Sequence, residues 1–440
     1  MAFAESLQNI FRIPELKKRI LFTLGMFAVY RFGCHVPSPG VDAQALTQFM
    51  SQNQGTLFGM IDIFVGGAFS RATVFALGIM PYISASIVLQ VLGAVVPYLE
   101  KLRKEGEEGQ KKINQLTRYG TVLIALVNSY AFGLFLMSNP GGLAVVPNPG
   151  IGFMTTLMIT QTAGTIFVMW LGEQITDRGI GNGISLLISI GIIADLPSII
   201  GGTIASVQNG VVQPLALLAG IAFLILVVAG VVVLTQGTRR IPVQYAKRVV
   251  GRRMYGGAST YIPLRVNTAG VIPIIFASSL LILPATLAQF FPNSGMALWL
   301  QSNLGPGING MWEIIYGVGI LFFTYFYTAV VLNPNDLAEN MRKYGGFIPG
   351  IRPGRKTAEY IDRVLSRITI VGALGLMVVA IVPDLVFQQL GLSLFVGLGG
   401  TSVLIVVAVA LDTLQQVESH LLTRHYEGFV KKGRLRGRRG

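Results

Sequence analysis

The sequence predicts an all-α polytopic membrane protein, with ten transmembrane helices in two inverted five-helix halves. Three observations predict it. Only 12% of the 440 residues are charged and 52% are hydrophobic, with a mean hydropathy of +0.62, whereas soluble domains carry roughly 25% charged residues. Ten runs approach the roughly 20 mostly apolar residues that a spanning helix needs. Finally, the pattern G-x-x-P-x-I-x-A-S occurs in the second run and again in the seventh, 192 residues later.

The ten segments are 20–36, 74–99, 119–138, 153–172, 184–200, 212–234, 268–291, 311–333, 368–389 and 401–421. The sixth is the clearest, with Leu, Ile, Val or Phe at 15 of its 23 positions. At about −0.3 to −0.6 kcal/mol for each such residue near the bilayer centre, insertion is strongly favoured. The fifth is the weakest, interrupted by Asp195 and Pro197. Residues 1–19 carry two glutamates and no small-residue cleavage site, so they read as a weakly amphipathic surface helix rather than a cleaved signal peptide. The expected organisation is this N-terminal segment, a first half over 20–200, a second half over 212–421 and a basic tail over 422–440. Two long loops, 235–267 and 334–367, interrupt the second half.

Lys and Arg set the orientation. Of the 34, all but Arg31 and Arg71 fall in the N-terminus, the tail and the loops after the even-numbered spans. This asymmetry places both termini in the cytoplasm and gathers the formal charge of +14 on one face. Basic loops fix topology and attract anionic phospholipid headgroups. Two of them, 239–265 and 334–367, also mix cations with Tyr, Phe, Pro and Gly, a composition equally suited to docking an acidic protein or RNA.

The glycine-rich stretch Gly179-Ile180-Gly181-Asn182-Gly183 invites a nucleotide reading, which its flanks exclude. A phosphate loop follows a strand and opens an amphipathic helix. Here a 20-residue uncharged run precedes the glycines and another apolar run follows, so the loop joins two spans. One cysteine, Cys34, and three histidines, His35, His420 and His425, offer neither a disulfide framework nor a metal cluster.

The repeat lies in the second span of each half, Gly78–Ser86 and Gly270–Ser278. Five spans per half invert the second copy, and interrupted helices at matching places in inverted halves point to a central pathway. Ion-coupled transporters place titrating groups at mid-membrane, whereas Asp195, Asp384, Asp412 and Glu313 lie toward span ends. The repeats supply isoleucine and small hydroxyls, and an aliphatic constriction blocks water by dewetting. That fits a gated pore for a large, varied substrate, ahead of a secondary transporter or an intramembrane protease. The apolar segment 57–71, LFGMIDIFVGGAFSR, is too short to span. It reads either as a movable stopper or as a static interfacial helix.

Six strings, in order, resemble the SecY family of bacterial protein-conducting channel subunits over essentially the whole chain: GAFSR at 67–71, FALGIMPYISASI at 75–87, MWLGEQITDRGIGNGIS at 169–185, AGVIPIIFASS at 269–279, FIPGIRPG at 347–354 and GGTSVLIVV at 399–407. The resemblance implies a clamshell around an hourglass pore in the bacterial inner membrane. Such a channel passes unfolded secretory chains outward and releases apolar segments sideways into lipid, without a cofactor, a metal or catalysis of its own. It implies a pore ring of Ile79, Ile83, Ile184, Ile188, Ile275 and Ile405. The plug would be 57–71, including Leu57, Phe58, Met60, Ile61, Ile63, Phe64, Gly66, Gly67 and Arg71. A lateral gate would include Pro81, Ser84, Ser86, Asn128, Asn267 and Pro273. Arg252 and Arg253 resemble ribosome-contacting arginines, and Arg352 resembles the arginine on which motor-driven transport depends. The implied partners are the small subunits SecE and SecG, the SecA motor ATPase, the translating ribosome, signal peptides and unfolded precursors.

Overall fold

A computed structural model describes residues 13–52, 57–138, 144–245, 248–250, 253–255, 259–288, 295, 299, 310–392 and 399–432. Its helices are α1 (Pro14–Gly33), α2 (Ala43–Gln52), α3 (Leu57–Val65), α4 (Met80–Val95), α5 (Pro97–Lys104), α6 (Glu107–Met137), α7 (Ile151–Arg178), α8 (Gly183–Gln208), α9 (Pro214–Gln236), α10 (Ile272–Ala288), α11 (Met311–Val331), α12 (Pro334–Lys343), α13 (Arg355–Gln389) and α14 (Gly400–Lys432). Five short strands accompany them: β1 (Thr238–Tyr245), β2 (Arg248–Val250), β3 (Arg253–Tyr255), β4 (Ser259–Arg265) and β5 (Gly346–Phe347).

Each of the ten expected segments overlaps a helix. Among the described residues, seven helical stretches are long and apolar enough to cross a membrane, and a bent pair makes an eighth. The bent pair is the second segment, whose axis turns 101° between Met80–Gly93 and Pro97–Arg103. Pro97 lacks the N–H that would continue the helix. The expected start of this span needs a correction: residues 74–79 form turns and the helix begins at Met80.

The chain divides into two compact units. The first comprises 1–85, 115–200 and 405–440, and the second 86–114 and 201–404. In the first unit, glycines let helices and turns approach closely, the usual means of helix association where apolar burial gives no net drive. A Cβ on Gly164 would overlap the Val74 carbonyl, and one on Gly183 would overlap the Gly172 carbonyl. Tyr30 and Phe75 stack with centroids 6.1 Å apart, Phe75 and Phe167 at 5.9 Å. The buried Gln161 donates to Ser38 Oγ at 2.9 Å and to the Thr73 carbonyl at 2.7 Å, tying α7 to the turn before α4.

In the second unit, α10, α11 and α13 pack through Phe276 and Phe323, edge to face at 5.7 Å, and through the buried Ile320, Ala373 and Leu376. Tyr316 and Thr401 share a buried hydrogen bond of 3.0 Å. The all-α expectation needs a second correction here. Segment 235–267 folds into strands, with β1 pairing antiparallel to β4 from Thr238↔Arg265 to Gln244↔Ser259 and to β5 through Gln244↔Phe347. The reason is legible in the residues. In β1, Ile241 and Val243 are buried while Arg240, Pro242 and Gln244 are exposed, the period-two pattern of a half-buried strand. Ile241, Val243 and Leu264 form a core with Met341 of α12, Ile348, and Ile361 and Leu365 of α13. Each such burial contributes about 1.5–3 kcal/mol. Much of 334–367, expected as loop, is therefore helix, and α13 begins well before the apolar run it continues.

Candidate functional site

The two copies of the repeat adopt the same local structure. Gly78 has φ +54° and Gly270 φ +64°, left-handed values that side chains resist. Each lies two residues before a helix, α4 or α10. Each helix has proline at its second position, Pro81 or Pro273, where a missing N–H removes no intrahelical bond. The first bonds correspond as well: Ile83 N–H donates to the Ile79 carbonyl at 3.1 Å, and Ile275 N–H to the Val271 carbonyl at 3.2 Å. Ile83 and Ile275 thus hold equivalent places in the first turns of their helices.

Ile79, Ile83, Ile188, Ile275 and Ile405 are all buried, and Ile184 is half-buried. Ile79 and Ile83 are one helical turn apart, as are Ile184 and Ile188, so each pair shares a face. Ile184 lies beside Gly172, where an added Cβ would meet its Cγ1 at 3.1 Å. Five of the six belong to the first unit and Ile275 to the second.

Residues 57–71 form α3 followed by a tight turn. Asp62 closes that turn, its carboxylate accepting from Ser70 N–H at 2.8 Å and its carbonyl from Gly67 N–H at 2.9 Å. Phe64, Val65, Gly66, Gly67, Ala68, Phe69 and Ser70 are buried, and Ile63 and Arg71 are half-buried. Leu57, Phe58, Met60 and Ile61 lie on α3, whose backbone alone is described at those four positions. Two residues of α1 and the one that follows it meet the end of α3: Arg31 Nη1 donates to the Gly66 carbonyl at 3.0 Å, while Tyr30 Oη at 3.4 Å and Cys34 Sγ at 3.9 Å donate to the Val65 carbonyl. In the sequence Arg31 is one of two cations outside the basic face, with no local hint of a partner. Its contact with residue 66 links positions 35 apart and has no local signature.

The turn Gly179–Gly183 is poorly suited to cradling phosphate, because four of its five amide donors are taken. Gly179 N–H goes to the Ile175 carbonyl at 2.8 Å, Ile180 N–H to Thr23 Oγ1 at 3.3 Å, Gly181 N–H to Gln416 Oε1 at 2.9 Å and Gly183 N–H to Thr176 Oγ1 at 2.9 Å. Asn182 Oδ1 then caps α8, accepting from Ile184 and Ser185. The glycines serve close packing, and the turn fixes the start of the helix that carries Ile184 and Ile188.

Among the expected gate residues, Ser84 and Asn128 are half-buried on α4 and α6. Ser86 accepts from Gln90 Nε2 at 3.0 Å. Asn267 is buried and spends its amide locally, donating to the Gly270 carbonyl at 3.0 Å. Arg352 is exposed on the turn between β5 and α13. Its backbone is held, since the buried Thr357 donates to the Arg352 carbonyl at 2.9 Å. Three nearby cations are engaged, Lys343 with Glu339 at 3.3 Å and Arg355 and Lys356 with Glu359 at 3.4 and 2.9 Å. Among the described residues no ion pair involves Arg352. Arg253 lies on β3, and Arg252 lies outside the described residues.

Fold and site together define a multi-pass helical membrane protein in which one glycine–proline helix start is used twice. Residues 73–414 match the SecY family model. The chain belongs to the SecY family. Its sequence is 50% identical to the protein translocase subunit SecY of Streptomyces galbus, covering 96% of this chain and 98% of that protein. It is 46% identical to the same subunit of Escherichia coli K12, covering 97% and 96%. Solved structures share the fold at 18% identity, each covering 94% of this chain and 96% of the other. They include a protein-conducting channel, with a TM-score of 0.65, and Sec61 of the canine ribosome–channel complex from the endoplasmic reticulum, at 0.61.

Proposed function

We propose that this chain is a protein-conducting channel, passing unfolded secretory polypeptides across the bacterial cytoplasmic (inner) membrane and releasing transmembrane segments laterally into lipid. The observation that carries this reading is the near full-length identity with SecY translocase subunits, and the matched helix starts at Gly78 and Gly270 support it. Ten spans in inverted halves, 20–200 and 212–421, would enclose an hourglass pore with both termini in the cytoplasm. Ile79, Ile83, Ile184, Ile188, Ile275 and Ile405 line its constriction. Aliphatic side chains seal around a moving chain because dispersion contacts are non-directional, and they offer no polar group that would trap it.

In this reading 57–71 is the plug, and the polar groups of Ser84, Ser86, Asn128 and Asn267, with the helix starts at Pro81 and Pro273, form the lateral gate. Ser86 and Asn267 spend their bonds locally, and interhelical hydrogen bonds in membranes average only about 0.6 kcal/mol, so no strong latch would oppose an arriving apolar segment. The basic surface carrying Arg253 and Arg352 docks the ribosome and the SecA motor, which supplies the energy. SecE and SecG complete the channel, and anionic phospholipids face the cationic loops. The test is reconstitution into vesicles with SecE, SecG and SecA. ATP should drive a precursor into a protease-protected state only when this chain is present. Equal protection without it would contradict the reading.

A further inference from the structure

Arg31 is the one cation inside the first apolar span. It lies in the last turn of α1, and a guanidinium within an apolar span calls for a partner. Arg31 finds a backbone acceptor. Its Nη1 donates to the Gly66 carbonyl at 3.0 Å, and its neighbours Tyr30 and Cys34 reach the Val65 carbonyl. These carbonyls stand at the C-terminal end of α3, where backbone acceptors lack helical partners and where the helix dipole favours a cation.

Asp195 of α8 lies within electrostatic reach of Arg31, Arg71 and Asp62. A Cβ on Gly67 would lie 3.6 Å from Asp195 Oδ1 and 3.8 Å from Arg71 Nη2, so both side chains cross the glycine pair. On another side a Cβ on Gly66 would lie 2.9 Å from the Gly191 Cα of α8. The methyls of Val65 stand 3.0 and 3.1 Å from where a Gly78 Cβ would sit. The end of α3 is therefore wedged between α1, α8 and the turn that starts α4, and Arg31 makes the charge-assisted bond of that seat.

We infer that Arg31 is a positioning residue for the 57–71 segment, holding its helix end in the seated state from outside the segment itself. The inference rests on the plug reading above, and its test separates the two. The complete channel would be placed in right-side-out vesicles in a Cys34→Ser background, which keeps a hydroxyl donor toward Val65. Phe64→Cys, with Ser70→Cys as a second reporter, would be labelled with a membrane-impermeant maleimide; both positions are 8% exposed. Arg31→Ala should raise labelling at both by roughly tenfold, the size of one lost hydrogen bond to a charged group. Arg31→Lys, which keeps a donor, should restore most of the protection. Leu157→Cys, fully buried in the same unit, should stay unlabelled throughout.

Unchanged labelling at 64 and 70 overturns the inference, and so does an equal rise at 157, which would mean general loosening. Resting ion conductance of the same variants tests the other reading. Faster labelling with unchanged conductance leaves Arg31 as the holder of the segment and contradicts pore closure by that segment.

Discussion

Arg352→Glu should abolish motor-driven export, cutting its rate by roughly a hundredfold, as when one partner of a docked charge pair is removed or reversed. Insertion and folding of the channel should be unaffected, because Arg352 is exposed and no ion pair among the described residues depends on it. The geometry argues for a presentation role. Thr357 and the turn at 348–351 hold the backbone, while Lys343, Arg355 and Lys356 are paired with Glu339 and Glu359. The guanidinium is an exposed planar fork on a held backbone, suited to bidentate pairing with a carboxylate. Export assays in vesicles, with membrane-inserted channel quantified alongside, read both quantities. Normal export by the variant would remove the docking assignment.

Ile83→Gly combined with Ile275→Gly should raise resting ion leakage by roughly tenfold or more, since a hydrophobic constriction gates by excluding water. The two substitutions remove eight apolar carbons, and at about 0.8 kcal/mol per buried methylene the penalty for hydrating the constriction falls by several kcal/mol. They are chosen as a pair because Ile83 and Ile275 hold equivalent positions after Gly78 and Gly270. Planar-bilayer recordings check the expectation. Unchanged conductance would mean that these positions do not line the barrier.

The membrane class was legible because apolar runs of spanning length are local signals, and so was the repeat, whose glycine and proline dictate the same turn twice. Local signals were also present where the reading went astray. Gly78 and Pro81 mark a helix start, yet the apolar character of Val74–Leu77 extended the span backward. The alternation around Ile241 and Val243 marks a strand, yet the surrounding arginines read as loop. Long-range pairing was beyond reach. The amides of Ile180 and Gly181 are satisfied by residues 157 and 235 positions away, and Asp195 meets Arg31 only in the folded unit. The sequence displays such polar residues, but their partners emerge from packing.

A polypeptide that passes through a pore lined by isoleucines must touch them, and crosslinking in membranes tests that passage most directly. A secretory precursor stalled during export would carry one photo-crosslinker at successive positions. Ile83, Ile188, Ile275 and Ile405 would each be replaced, one at a time, by a cysteine tag. Adducts at all four sites, shifting along the precursor as the stall point moves, are the predicted result. A folded, assembled channel that gives no adducts at these sites would contradict it.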